Sequence, residues 1–283
     1  MNYLLFNPLA DNGNGEKTAL EAKEKLKARF GEMESRNVLD INSKQFVGFL
    51  TKNDVLVLVG GDGTINHMAN EISGLNVPCD IYVYKAGTGN DFLRDVNDEI
   101  DEDGLLLINK YIKHLPKVTI NGKTTLFING IGFGIDGQVC EVADNMKAKG
   151  AKKISYPGIS VKLALFKYKC PKATIKVDGK EIKYKRVWLA SAMNGRFYGG
   201  GMMVAPSQDR LSNKLSMVCM HGGSRIKALI VFVGIFKGEH VKHKEMVDIV
   251  EGKKIEVTFD HPCALQIDGE TVRNVTSYVA EIE

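Results

Sequence analysis

The spacing of apolar and polar positions changes once, decisively, along the chain. Residues 55–59, VLVLV, are apolar at every position over a span too short for a helix, the pattern of a parallel strand covered on both faces. Residues 3–6, 36–41 and 79–84 read as further strands; residues 16–30, 43–50 and 65–72 read as helices between them, the second capped by Ser43. Strands alternating with helices predict an α/β unit with right-handed crossovers. Near Leu115 the pattern becomes strand, two-residue turn, strand: residues 117–120 and 124–128 flank Asn121-Gly122, and residues 173–177 and 181–184 flank Asp178-Gly179. Runs at 188–192, 214–220, 246–250, 253–259 and 263–267 continue it, so the second region is expected to be mostly antiparallel β.

The polar interruptions carry the candidate chemistry. Directly after 55–59 come Gly60, Gly61 and Gly63, with Asp62 between them and Thr64 at a helix start. Glycines let backbone N–H groups approach a ligand closely, and a helix N-terminus favours anions. The spacing is neither that of a lysine-bearing phosphate loop nor of a dinucleotide fingerprint. A turn whose Asp and Thr only cap the helix would need one of these residues, not five. Asn7-Pro8 begins a similar loop after the first strand, and Lys85 to Arg94, KAGTGNDFLR, follows a later one with Gly87, Thr88 and Gly89, then Asn90 and Asp91 at a helix start. Ligands of open parallel sheets bind at the carboxyl ends of strands, so these loops are expected to share a site where Asp62 and Asp91 converge on one metal or one network. For Asn90 a helix cap is as good an account as a ligand role.

In the second region residues 129–137, NGIGFGIDG, hold four glycines and Asp136, a candidate wall of a cleft; residues 194–201, NGRFYGGG, are read evenly as site or as tight corners. Asp268-Gly269 reads as a turn, and Glu270 after it is the candidate general base, because a hydroxyl attacking a phosphoryl group needs a carboxylate to take its proton. Residues 225–237, RIKALIVFVGIFK, are apolar nearly all round and so expected to be mostly buried, while His240 and His243 read as surface histidines. Residues 147–172 contain eight lysines and no acidic residue, a solvated face or a membrane-surface segment.

Totals narrow the class. A chain of 283 residues suits two cores. Five scattered cysteines without a C-x-x-C pair read as reduced residues of a cytoplasmic protein, a net charge of +4 is too mild to argue for nucleic acid, and MNYLLFNP is expected to be neither a signal peptide nor an anchor. No apolar run approaches the roughly 20 residues of a transmembrane helix.

Taken together, Asn7-Pro8, GGDGTIN at 60–66, GTGNDFLR at 87–94, NGIGFGIDG, the GGG-x-x-x-AP run at 199–206 and DGE at 268–270 resemble the diacylglycerol kinase catalytic family, most closely its soluble bacterial lipid kinases, with sphingosine and ceramide kinases as relatives. The resemblance implies an NAD kinase/diacylglycerol kinase-like architecture: an α/β nucleotide-binding domain over 1–115, to which 274–283 return, and an antiparallel β-sandwich lipid-substrate domain over 116–273, with ATP in the cleft. It implies that Gly60, Gly61, Asp62, Gly63, Thr64, Ile65, Asn66, Thr88 and Asn90 bind ATP beside Asn7 and Pro8. Asp62 and Asp91 would organise magnesium and nucleotide, and Glu270 would deprotonate the lipid hydroxyl. One departure concerns a structural magnesium: where bacterial members carry Asp-Gly, this chain has Ser212-Asn213, leaving Asp209 as the nearby carboxylate. The expected activity is ATP- and Mg2+-dependent phosphorylation of diacylglycerol or a similar lipid by a peripheral protein on the inner face of the membrane, with room for a homodimer. The alternatives are a kinase of another lipid or lipid-like alcohol, and a nucleotide- or lipid-sensing module without turnover.

Overall fold

Strand Val55–Val59 lies at the centre of a five-stranded sheet, between Asn2–Phe6 and Asp80–Tyr84, with Glu34–Asn37 and Leu105–Leu107 at the edges. The computed structural model describes residues 1–85, 90–151 and 154–283, without the side chains of residues 11, 12 and 157. Every pairing in this sheet is parallel except that of Leu105–Leu107. Leu56, Val57, Leu58 and Val59 are no more than 1% exposed, so the unbroken apolar run reflects cover on both faces, each such side chain contributing roughly 1.5–3 kcal/mol on burial. Helix Gly15–Phe30 packs Ala19, Ala22 and Leu26 against the sheet. The strand expected over 36–41 stops at Asn37, whose side chain accepts the Leu39 N–H and turns the chain into a short 3-10 turn. The next helix, Ser43–Gly48, is capped by Asn42 rather than Ser43: Asn42 Oδ1 accepts the Gln45 N–H at 3.0 Å.

The chain divides into two compact units, Met1–Leu115 and Pro116–Glu283. The second is built on one hydrogen-bonded sheet of ten strands folded into a sandwich. Its hub is the long strand Lys254–Ile267, whose register shifts between Thr258 and Cys263. Residues before the shift pair with Ala173–Val177 and residues after it with Gly130–Gly134, so one strand serves two layers. Phe133 and Phe259 stack between them at 3.9 Å. Both two-residue hairpins fall where the turn chemistry puts them, with Asn121 and Asp178 at positive φ ahead of a glycine.

Residues 274–283 depart from expectation. They do not return to the first sheet but run in strand Glu270–Glu281, paired along Lys254–Ile267 and ending on Lys117–Ile120. Helices Ile135–Ala148, Tyr156–Lys162 and Arg225–Val233 pack over Trp188, Leu189 and Val218 on the sheet. The last of them is not mostly buried: Ala228 and Val231 face the core, while Ile226, Ile230 and Val233 are exposed. His240 is buried rather than superficial, its Nε2 2.9 Å from the Val204 carbonyl.

Candidate active site

In the first unit, parallel pairing brings the carboxyl ends of strands Asn2–Phe6, Val55–Val59 and Asp80–Tyr84 to one edge of the sheet. Asn7 ties two of them together. Its N–H donates to Val59 O (3.2 Å), its Nδ2 reaches Thr64 Oγ1 (3.4 Å) and its Oδ1 accepts the Leu9 N–H (3.0 Å). Pro8 follows, half-buried, where the start of helix Gly15–Phe30 presses on the Asn7 carbonyl.

The three glycines divide by role. A Cβ on Gly60 would stand 2.4 Å from Thr64 Oγ1, so this glycine is required by the protein's own packing. At Gly61 and Gly63 a Cβ would meet nothing within 4 Å. Neither sits at positive φ, so the fold itself makes no demand for glycine there, and close approach by a ligand is what their bareness would serve. Helix Asp62–Glu71 starts at Gly61 with no side-chain cap, the Thr64 and Ile65 N–H groups donating to Gly61 O, and a helix N-terminus of this kind favours an anion.

Asp62 has a structural task the sequence did not disclose. Its carboxylate accepts the Asp91 N–H at 2.8 Å and the Phe92 N–H at 3.0 Å, gripping the start of helix Asp91–Asp95 from the neighbouring loop. Asn90 caps the same helix through the Leu93 N–H (2.8 Å), while its Nδ2 is buried without a hydrogen-bond partner. Asp91 is 4% exposed. Ile65 differs from expectation: its side chain is in the core at 1% exposure and its N–H donates to Gly61 O, so it has no polar group to offer a nucleotide. Asn66 accepts from Asn70 one helical turn on. Thr88, with Gly87 and Gly89, lies outside the described residues.

Asp62 and Asp91 are two carboxylates, not a cage. Among the described residues no group of three or more His, Cys, Asp or Glu side chains could hold a metal ion. The pair suits only a magnesium that brings its remaining ligands from phosphates and water. Around Asp209 the chain's own groups bond one another. Its Oδ1 accepts the Leu211 N–H, Ser212 Oγ donates to its carbonyl, and the Arg210 guanidinium donates to Ile128 O and Asn129 Oδ1.

In the second unit, Asp268 and Gly269 form the expected turn at φ of 47° and 94°. The Asp268 carboxylate accepts the N–H groups of Ile128 (2.6 Å), Asn129 (2.8 Å) and Gly130 (3.0 Å), which pins the turn against the start of strand Gly130–Gly134. Glu270 emerges from it exposed to solvent. Gly269 also lines a cavity of about 530 Å3 walled by Val139, Met202, Leu229 and Phe232.

Two polar groups interrupt this apolar lining. The Gln266 amide lies beside the buried Asp136 carboxylate and steadies its charge, although Asp136 Oδ1 and Gln266 Nε2 miss ordinary hydrogen-bond geometry, so the pair offers a polar spot to a ligand. Gln266 lies opposite Gly132 in the sheet, and Gly132 is bare because a Cβ there would stand 1.5 Å from Asp136 Oδ2. Burial pushes the Asp136 carboxyl up to about 6, against the pull of the Tyr198 hydroxyl donating to Oδ2 at 2.8 Å. Tyr198 in turn meets Ser191 Oγ at 3.0 Å. Gln266 and Tyr198 were not singled out from the sequence; a glutamine in the short apolar stretch Cys263–Ile267 was the available signal.

Residues 2–120 match the family described as the diacylglycerol kinase catalytic domain, and residues 129–282 the YegS C-terminal NAD kinase beta sandwich-like domain. A diacylglycerol kinase of Mycobacterium tuberculosis is 27% identical over 264 residues, which cover 89% of this chain and 83% of that one. A crystal structure of a diacylglycerol kinase from Bacillus anthracis superposes with a TM-score of 0.64 at 18% identity, covering 99% of this chain and 93% of that one. A further solved chain from the same organism reaches 0.72 at 19% identity, with 100% and 92% covered. At such identity the superpositions speak for the fold.

Proposed function

Because the chain belongs to the diacylglycerol kinase catalytic-domain family, we propose that it transfers the γ-phosphoryl group of ATP to the free hydroxyl of a diacylglycerol or a similar lipid. The observation that carries this reading is the cavity of the second unit: apolar walls of a size for a lipid chain, a small polar end at Asp136 and Gln266, and Gly269, the residue before Glu270, in its lining. Pockets of this kind hold largely apolar ligands oriented by a few placed polar groups.

In this reading the uncapped start of helix Asp62–Glu71, with Gly61 and Gly63, receives the ATP phosphates through backbone N–H groups, and Asn7 fixes the loop beside them. Asp62 and Asp91 are the carboxylates that would hold a magnesium carried with the nucleotide, which would supply neutralisation of the charge developing on the phosphates. Glu270, exposed to solvent, accepts the proton of the lipid hydroxyl. That oxygen forms a bond to the γ-phosphorus as the bridging bond to ADP breaks, giving a phosphorylated lipid and ADP. The buried Asp136 favours a second reading of the substrate: a lipid with a further hydroxyl or amine to meet Asp136 Oδ1 and Gln266 Nε2.

The test is ATP-dependent phosphate transfer to diacylglycerol in mixed micelles with magnesium, comparing the wild type with Glu270→Gln. The expected outcome is turnover in the wild type and a loss of roughly a hundredfold or more in kcat for the variant, with ATP binding retained. ATP binding without turnover on diacylglycerol or on a total lipid extract would exclude the kinase reading and favour a sensing module.

A further inference from the structure

The turn that carries Glu270 is held largely through one buried peptide, between Ile128 and Asn129. Its N–H is one of the three that the Asp268 carboxylate accepts, and the Asp268 N–H donates back to Gly130 O at 3.1 Å. Its carbonyl points the opposite way, as in any trans peptide. There it meets two donors, the Asn194 Nδ2 at 2.9 Å and the Arg210 Nη1. The other arm of that guanidinium, Nη2, donates to Asn129 Oδ1.

Asn194 by itself gives the Ile128 carbonyl a partner. What Arg210 adds is a charge and a second grip. A cation at the C=O end and a carboxylate at the N–H end polarise the peptide in the same sense, so each hydrogen bond strengthens the other. The planar fork also takes two acceptors at once, which a lysine ammonium on its flexible stem matches poorly. Arg210 is firmly seated in its own loop, 208–214. The buried Gln208 ties that loop's ends together, its Nε2 donating to the Asp209 and Lys214 carbonyls at 3.0 Å and 2.8 Å. Its Oε1 accepts the hydroxyl of Ser216, on strand Leu215–His221, at 2.6 Å. A path of bonds thus runs from that strand through Gln208, Arg210 and the Ile128–Asn129 peptide to Asp268, two residues before Glu270.

Glu270 is exposed, so its place is set by the turn beneath it rather than by packing around it. We propose that Arg210 is a positioning residue for the phosphoryl transfer: through the Ile128–Asn129 peptide it fixes the Asp268–Gly269 turn, and with it the point from which the Glu270 carboxylate reaches the substrate hydroxyl. The proposal deepens the lipid-kinase reading and rests on its assignment of Glu270 as the base. A displacement of about 1 Å in a reacting group can cost on the order of a hundredfold in rate, so a small relaxation of this turn is enough to be read in kcat.

The experiment is a pair of double-mutant cycles on the full chain, with circular dichroism to check that each variant folds. The first compares wild type, Arg210→Lys, Glu270→Gln and the double variant for phosphate transfer to diacylglycerol in mixed micelles with ATP and magnesium. The second compares wild type, Arg210→Lys, Asp268→Asn and their double variant in denaturant unfolding, which reads the tether without turnover. The expected result of the first is a fall of about tenfold or more in kcat for Arg210→Lys, with KM for ATP and for lipid unchanged. Added to Glu270→Gln, the same substitution should cost nothing further, whereas a residue that only supported the fold would lower both backgrounds alike. In the second cycle the double variant should be more stable than the product of the two single effects implies, by more than about twofold in the unfolding constant. Wild-type kcat in Arg210→Lys, or an equal loss in both backgrounds, overturns the proposal and leaves the kinase reading intact. A raised KM for ATP at unchanged kcat also overturns it and assigns Arg210 to the nucleotide. A wild type that phosphorylates no lipid overturns the kinase reading, and the second cycle then decides the tether alone: coupling keeps Arg210 bound to the turn, and additive effects overturn that as well.

Discussion

Burial leaves the Asp136 carboxyl with a folded-state pKa of about 6, against an ordinary value of 3.8. Well below pH 4 the group is protonated whether the chain is folded or not, and burial carries no penalty for its charge. As pH rises from about 4 to 6 the unfolded chain is ionised while the folded one still holds its proton, so stability falls across that window, by roughly 3 kcal/mol once both forms are ionised. Asp136→Asn should therefore flatten the fall in stability between about pH 4 and pH 6 and leave the variant more stable than the wild type at neutral pH. Denaturant unfolding at pH 5 and pH 8 checks this; equal pH dependence in both proteins would show that Asp136 is not the group responsible. The sequence placed Asp136 in a glycine-rich motif, but its environment was not legible there. Gly132, Tyr198 and Gln266 reach it from separate strands, and only strand pairing sets Gln266 opposite Gly132.

At the scale of elements, Asp62 is a joint between two of them. Each of its oxygens takes a backbone N–H from the start of helix Asp91–Asp95, so the carboxylate stands in for the cap that the helix macrodipole favours. Asp62→Ala should lower unfolding stability by about 1–2 kcal/mol even in metal-free buffer. A residue that served only to bind metal would leave apo stability unchanged, so thermal unfolding with a chelator present separates the two roles. The joint was invisible in the sequence because its ends are 29 positions apart, whereas strand Val55–Val59 was legible because five apolar residues in a row have few other uses. Arg225–Val233 misled for the same reason that Val55–Val59 did not. An all-apolar segment signals removal from water, and the sequence does not say whether protein core or another apolar phase does the removing.

The whole molecule is two units with different logics of assembly. Met1–Leu115 closes mostly on near neighbours, each strand pairing with one a helix away. Pro116–Glu283 does not: the turn that pins the first long strand of its sandwich is Asp268, 140 positions after Ile128. Synthesis runs at about 5–20 residues per second, so the first unit can fold while the second waits on the order of ten seconds for the strand that completes it. Ribosome-arrested chains ending before residue 254 should show a protease-resistant first unit and a second unit cut throughout, and chains extended past residue 281 should resist in both; early resistance of the second unit would count against this order. During that interval strand Gly130–Gly134 has no Lys254–Ile267 to pair with, and its unpaired edge is open to other chains. The long-range closure of the sandwich thus makes the unfinished protein a natural client for chaperones that shield bare β-edges, a dependence that ends when the last hairpin leaves the ribosome.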